Sequence, residues 1–90
     1  MDAFLKEAFS GEEGALAHAV AKYGDSAMVS EELSIFLLTH PVVLDTVTEA
    51  NETVCYHVEA EAGIQHRRYR FCWKGAQLVG VEDLGMVTDE

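Results

Sequence analysis

Ninety residues leave room for a single domain, 1–90, with one modest core. Hydrophobic residues make up 49% of the chain, too many for intrinsic disorder. The formal charge of −10 argues against a nucleic-acid surface, which needs a positive footprint to release counterions.

The first forty residues read as helical. Asp2 is placed to cap a short segment whose Phe4, Leu5, Ala8 and Phe9 form one apolar stripe. Ser10-Gly11-Glu12-Glu13 has the spacing of a capping box and opens a second helix. That helix carries Leu16, Ala19, Val20 and Tyr23 on one side, with His18 and Lys22 away from the stripe. Gly24 suits the left-handed position that ends helices. Asp25 or Ser30 caps a third segment containing Leu33, Ile35, Phe36, Leu37 and Leu38. This segment is apolar around most of its circumference and is expected to be the most buried helix. Pro41 is expected to stop it, because the residue before a proline disfavours helical angles.

After Pro41 the pattern changes to strands. Val42 to Thr48 is rich in β-branched residues, and Ala50-Asn51-Glu52 reads as a turn. Val54, Tyr56 and Val58 then alternate with Cys55, His57 and Glu59; Tyr69, Phe71 and Trp73 alternate with Arg68, Arg70 and Cys72. Period-two patterning of this kind marks two half-buried strands. A two-residue turn at Gly63-Ile64 puts glycine first, as a type II′ turn requires. The resulting register sets Val58 opposite Tyr69, Tyr56 opposite Phe71 and Val54 opposite Trp73 on one face. On the other it sets Glu61 opposite His66, Glu59 opposite Arg68, His57 opposite Arg70 and Cys55 opposite Cys72. A last strand follows Gly75-Ala76, near Gln77 to Asp83. It pairs Trp73 either with Leu78 through a second type II′ turn or with Val79 through a three-residue loop. Helices first and then an antiparallel meander of about four strands predict an α+β roll, with the helices on one sheet face. Phe36, Leu37, Val54, Tyr56, Val58, Tyr69, Phe71 and Trp73 are the expected core.

The block from about Asp45 to Leu84 resembles the C-terminal half of the NTF2-like (SnoaL-like) superfamily. The residues that carry the likeness are the hairpin Thr53–Ala62 with Gln65–Trp73, the run Tyr69-Arg70-Phe71-Cys72-Trp73-Lys74-Gly75-Ala76-Gln77-Leu78-Val79, and the ending Val81-Glu82-Asp83. The resemblance implies a curved sheet wrapped on helices, a pocket between the layers and dimerisation. It carries over no catalytic residue. The N-terminal half departs from the family pattern, and cystatin-like proteins share the helix-then-sheet plan.

The candidate sites follow from the register. Cys55 and Cys72 face each other at a separation of about 4.5 Å if they form a non-hydrogen-bonded pair. A cross-strand disulfide fits there, but a cytosolic protein favours two reduced thiols. Cys55, Cys72 and His57 fall one short of the four ligands a structural zinc site needs, so no metal and no cofactor is expected. The basic run His66-Arg67-Arg68-Tyr69-Arg70 reads as a strand face laced with ion pairs rather than an anion site. Asp45 with His57 is a conceivable proton-transfer pair, yet no residue stands in a nucleophile context, so no catalytic residue is assigned. The face carrying Cys55, His57, Arg68, Arg70 and Cys72 is less polar than a solvated strand face, and arginine is enriched at interfaces. It is the candidate interaction surface. The preferred expectation is a non-catalytic module that binds a protein partner or forms a homodimer; the alternative is a small-ligand binder or enzyme of the NTF2-like kind. No apolar run reaches membrane-spanning length, and Met1-Asp2-Ala3-Phe4-Leu5-Lys6-Glu7 lacks a signal-peptide pattern, so neither a membrane nor a nucleic-acid partner is expected and the expected location is cytoplasmic.

Overall fold

The computed structural model describes residues 2–87. Three helices come first: α1 (Asp2–Ala8), α2 (Ala15–Tyr23) and the single turn α3 (Glu32–Ile35). Four strands follow: β1 (Leu38–Thr48), β2 (Thr53–Ala62), β3 (Gln65–Lys74) and β4 (Gln77–Met86). They form one antiparallel sheet in the order β1-β2-β3-β4, so the α+β meander expected from the sequence is the fold.

The central hairpin has the register read from its alternation. Val58 pairs with Tyr69, Tyr56 with Phe71, Val54 with Trp73 and Cys55 with Cys72. Ala62 and Gln65 close the turn, and Gly63 has φ +66° as the first central residue. The second turn repeats the device: Lys74 pairs with Gln77 around Gly75, which has φ +63°. Of the two registers left open for the last strand, the one pairing Trp73 with Leu78 is found. Val79 is an extra residue in β4, between the Cys72–Gly80 and Trp73–Leu78 pairs. This bulge is why Leu78, Val79 and Val81 fail to alternate: one inserted residue shifts the parity of everything after it.

The helices cover the inner sheet face on its β3–β4 side. Tyr69, Phe71, Trp73 and Leu78 are buried there against Phe4, Ala8, Phe9, Leu16, Ala19 and Val20. Phe4 is the hub. It meets Phe71, Trp73 and Tyr23 edge-on, with ring centroids 5.0, 5.2 and 5.7 Å away. Edge-to-face contact of this kind adds about 0.5–1.5 kcal/mol per pair beyond the area buried. The first residue of β1, Leu38, is buried in this core, but from Val43 onward the inner face of β1 lies outside the cover, so Val43, Thr46 and Thr48 are exposed although they share the face of Val58 and Tyr56.

The structure differs from the sequence expectations chiefly between Ser10 and Tyr56. The apolar run from Leu33 to Leu38 is not a long buried helix. Leu33 is buried, but Ile35 and Leu37 are 63% and 53% exposed, and Phe36 is half-buried. The helix ends at Ile35 and the sheet begins at Leu38, three residues before Pro41. A short apolar run does not distinguish helix from strand. Pro41 is tolerated inside β1 because β1 is an edge strand with a register shift at that point. His40 just before it sits in the strand with φ 52°, not at a helix C-terminus. Ser10 does not open α2: Gly14 is the N-cap, with φ 73° and no side-chain cap. Asp25 caps the short 3-10 turn Ser26–Met28 instead of α3, accepting from the Ala27 N–H at 2.9 Å. Val54 and Tyr56, expected in the core, are half-buried because they lie toward the uncovered side.

Gly24 ends α2, but not in the left-handed region; its φ is −124° and its ψ −115°. Glycine is required there by space. A Cβ would lie 2.8 Å from the Leu78 carbonyl oxygen and 3.1 Å from that of Val20, both backbone atoms that cannot swing away. Gly24→Ala should therefore push α2 off β4 and cost roughly 1–3 kcal/mol, seen as a lower urea midpoint. An unchanged midpoint would show that the helix can slide without loss.

Glu7 ties α1 to α2. It accepts a hydrogen bond from Lys22 Nζ at 2.5 Å and another from the Tyr23 hydroxyl. The Lys22 and Tyr23 bonds hold the Glu7 carboxyl below its ordinary pKa of 4.5. A lowered folded-state pKa contributes stability above the unfolded value and loses it as the pH falls through the folded one. The melting temperature of the native chain should thus drop across the acid side of pH 4.5, and Glu7→Gln should flatten part of that drop. Equal acid slopes in the two proteins would count against the assignment.

Candidate functional site

The outer sheet face is built by every second residue of each strand, as the pleat dictates. It brings all five candidate residues together: Cys55 and His57 from β2, and Arg68, Arg70 and Cys72 from β3. Cys55 and Cys72, expected as free thiols, are joined in a disulfide with a Cα–Cα distance of 4.0 Å. The close approach of a directly opposed pair makes that bond available. Cys55 is fully buried and Cys72 half-buried. The Arg70 guanidinium donates to Cys55 Sγ at 3.5 Å.

The charges on this face are engaged within the chain. Arg70 bonds Glu49 and lies 3.7 Å from Glu82 on β4. Arg68 donates to Glu59 at 3.0 Å, and His66 is 3.5 Å from the same carboxylate. His57 Nδ1 meets the Asp45 carboxylate across the β1–β2 ladder, so the pair anticipated from the sequence is formed. His40 contacts Glu61 at 2.5 Å, where Glu61 had been expected to serve His66. Exposed pairs of this kind contribute about 0–1 kcal/mol each. Their effect is to pin neighbouring strands in register and to occupy the basic groups.

One cluster was missed from the sequence. Arg67 lies on the inner face, opposite Ala60. Its Nη2 donates to both Asp83 oxygens at 3.1 and 3.2 Å, and its guanidinium carbon stands 4.1 Å from the Phe36 ring centroid. Burial works against the Arg67 charge, but Tyr69 and Asp83 hold its pKa above the ordinary value. Burial pushes the neighbouring Tyr69 phenol up. The parity of Arg67 with Tyr69 and Phe71 was the available signal. It was overridden by reading the whole basic run as one surface patch.

The first edge strand presents a different surface. Val42, Val43, Leu44 and Val47 are each 41–57% exposed. They leave a contiguous aliphatic stretch beside the unpaired backbone edge of β1. Val42, Asp45 and Val47 point to the outer face, and Val43 and Thr46 to the inner one.

The hollows are shallow. A cleft of about 180 Å³ at one end of the sheet is lined by Phe4, Tyr23, Tyr56 and Trp73. A wider polar one, about 560 Å³, lies between α1 and α2 beside Glu7, Glu12, Glu13 and His18. Among the described residues no cluster of three metal-ligating side chains is present, and no helix is long and apolar enough to cross a membrane. No family model, curated protein or solved structure matches this chain.

Proposed function

We propose that this protein is a small acidic, non-catalytic interaction module that engages a protein partner through β1. The single observation behind this reading is the exposed aliphatic stretch Val42-Val43-Leu44 with Val47 on an unpaired edge. Burying such side chains on association gains about 25 cal/mol per Å² of apolar surface, and a free strand edge supplies backbone hydrogen bonds to an added strand. The outer-face groups Cys55, His57, Arg68, Arg70 and Cys72 serve as the floor beside that edge. Cys55 is spent in the disulfide and the arginines in ion pairs, so the contact is made by apolar surface and backbone rather than by free charge. The disulfide also weighs against the expected cytoplasmic location, since such bonds persist in oxidising surroundings.

A second reading, a small-ligand site, is favoured by the aromatic cleft at Phe4, Tyr23, Tyr56 and Trp73. Its volume is below the roughly 300–1,000 Å³ of ordinary ligand pockets, and aromatic rings fill the space between helices and sheet. Backbone NMR separates the two readings. Extended peptides added to the native chain should shift the amides of residues 42–48, while small aromatic compounds should leave the single Trp73 indole resonance in place. Movement of Trp73 with β1 silent would replace the first reading by the second. Silence at both in a monomeric chain would remove both.

A further inference from the structure

We propose that the partner of β1 is a second copy of this chain, paired antiparallel along Val42–Val47 about a two-fold axis between Leu44 and Asp45. The inference rests on the reading of β1 as the docking strand and names its occupant.

Charge comes first. Two copies carrying −10 each repel over most of their surfaces. Of the 16 acidic residues only Asp45 lies on β1, and its carboxylate is held by His57. The helix α2 and the strand β3 also lack acidic residues, but α2 offers no strand edge and β3 is paired on both sides, so β1 is the weakly charged edge where a like-charged copy can approach. A basic partner would gain most elsewhere, along the carboxylate-rich helical surface, and has little to gain from four aliphatic side chains.

The register of β1 also suits a second copy. Across an antiparallel pair, opposed residues must share a sheet face. In an unbroken strand, residues five apart point to opposite faces. The irregularity between Val43 and Asp45 changes that parity. Val42 opposes Glu59 and Val47 opposes Cys55, both on the outer face; Val43 opposes Val58 and Thr46 opposes Tyr56, both inner. A two-fold between Leu44 and Asp45 consequently sets Val42 against Val47 of the partner subunit on one face. It sets Val43 against Thr46 of the partner subunit on the other. Centring the axis on Asp45 fails twice: it opposes the two Asp45 carboxylates, and it places inner Val43 against outer Val47. The bulge is what lets the axis fall between two residues; in an unbroken strand it would have to fall on one.

The ends of the ladder are also defined. Pro41 has no N–H to donate, and the irregularity between Thr39 and Val42 bends the strand away. Pairing stops at Val42, and because β1 meets β1 the contact is isologous and closes at two copies.

Sedimentation equilibrium of the full chain at micromolar concentration should return twice the 9.9 kDa chain mass. Added salt should tighten the dimer, because it screens the repulsion between acidic copies while leaving the apolar contact intact. Val42→Lys and Val47→Lys, both at exposed positions, should weaken it at least tenfold with an unchanged circular dichroism spectrum. Register is read independently of those variants. A mixture of Val43→Cys and Thr46→Cys chains should cross-link on mild oxidation, and neither chain should do so alone. A monomer at all concentrations would overturn the proposal, as would a dimer indifferent to both lysines or equal cross-linking of Val43→Cys with itself. If the chain is monomeric while extended peptides still shift the β1 amides, the homodimer fails and the interaction module stands. If the peptides are silent too, both fail.

Discussion

Replacing Phe4 by alanine should remove about 3–5 kcal/mol of stability, the usual cost of emptying a fully buried aromatic site. A domain of this size has only about 5–13 kcal/mol in total, so the variant should sit near the edge of folding at body temperature. The reason is local as well as global. The seven-residue α1 is too short to be stable by itself and is held by tertiary contact. Phe4 supplies that contact through Phe71, Trp73 and Tyr23. Urea unfolding followed by Trp73 fluorescence measures the loss, and amide exchange should show α1 opening first. Phe4→Leu, which keeps most of the volume, should recover more than half of it. A loss under about 1 kcal/mol would mean that α1 is not part of the cooperative unit.

Removing the disulfide is the second large effect. The double variant Cys55→Ala/Cys72→Ala should be less stable by about 3 kcal/mol. The cross-link spans a sequence separation of 17 residues and restricts the unfolded chain accordingly. Changing both residues avoids leaving an unpaired thiol under the Arg70 guanidinium. The denaturant slope should rise with the loss, because the unlinked chain exposes more surface when unfolded. Equal midpoints for oxidised and reduced protein would show that the ladder alone holds the hairpin.

The central hairpin was legible because three independent signals agree on it. Alternation, the Gly63 turn and the pairing of opposite charges all demand one register, and a slip by one residue would turn Tyr69, Phe71 and Trp73 out of the core. The apolar stripe of α1 and α2 was legible for a similar reason: helical spacing repeats over enough residues to be unambiguous. The segment Leu33–Leu38 was not. Six apolar-rich residues fit a helix or a strand equally well, and the segment is divided: Leu33 to Ile35 form the turn of α3, while Leu38 joins the sheet, which offers it a partner at Ala62.

By itself, then, the sequence determined the order of elements, the hairpin register and the candidate face. Each of these follows from neighbours in the chain or from a turn of two residues. Tertiary structure decided the rest. It chose which half of the inner face the helices cover, and so left Val43 exposed while burying Tyr69. It placed the bulges at Leu44 and Val79, closed Cys55 on Cys72, and turned Arg67 inward to Asp83. Those outcomes depend on distances between segments far apart in sequence, where small packing differences outweigh any local preference.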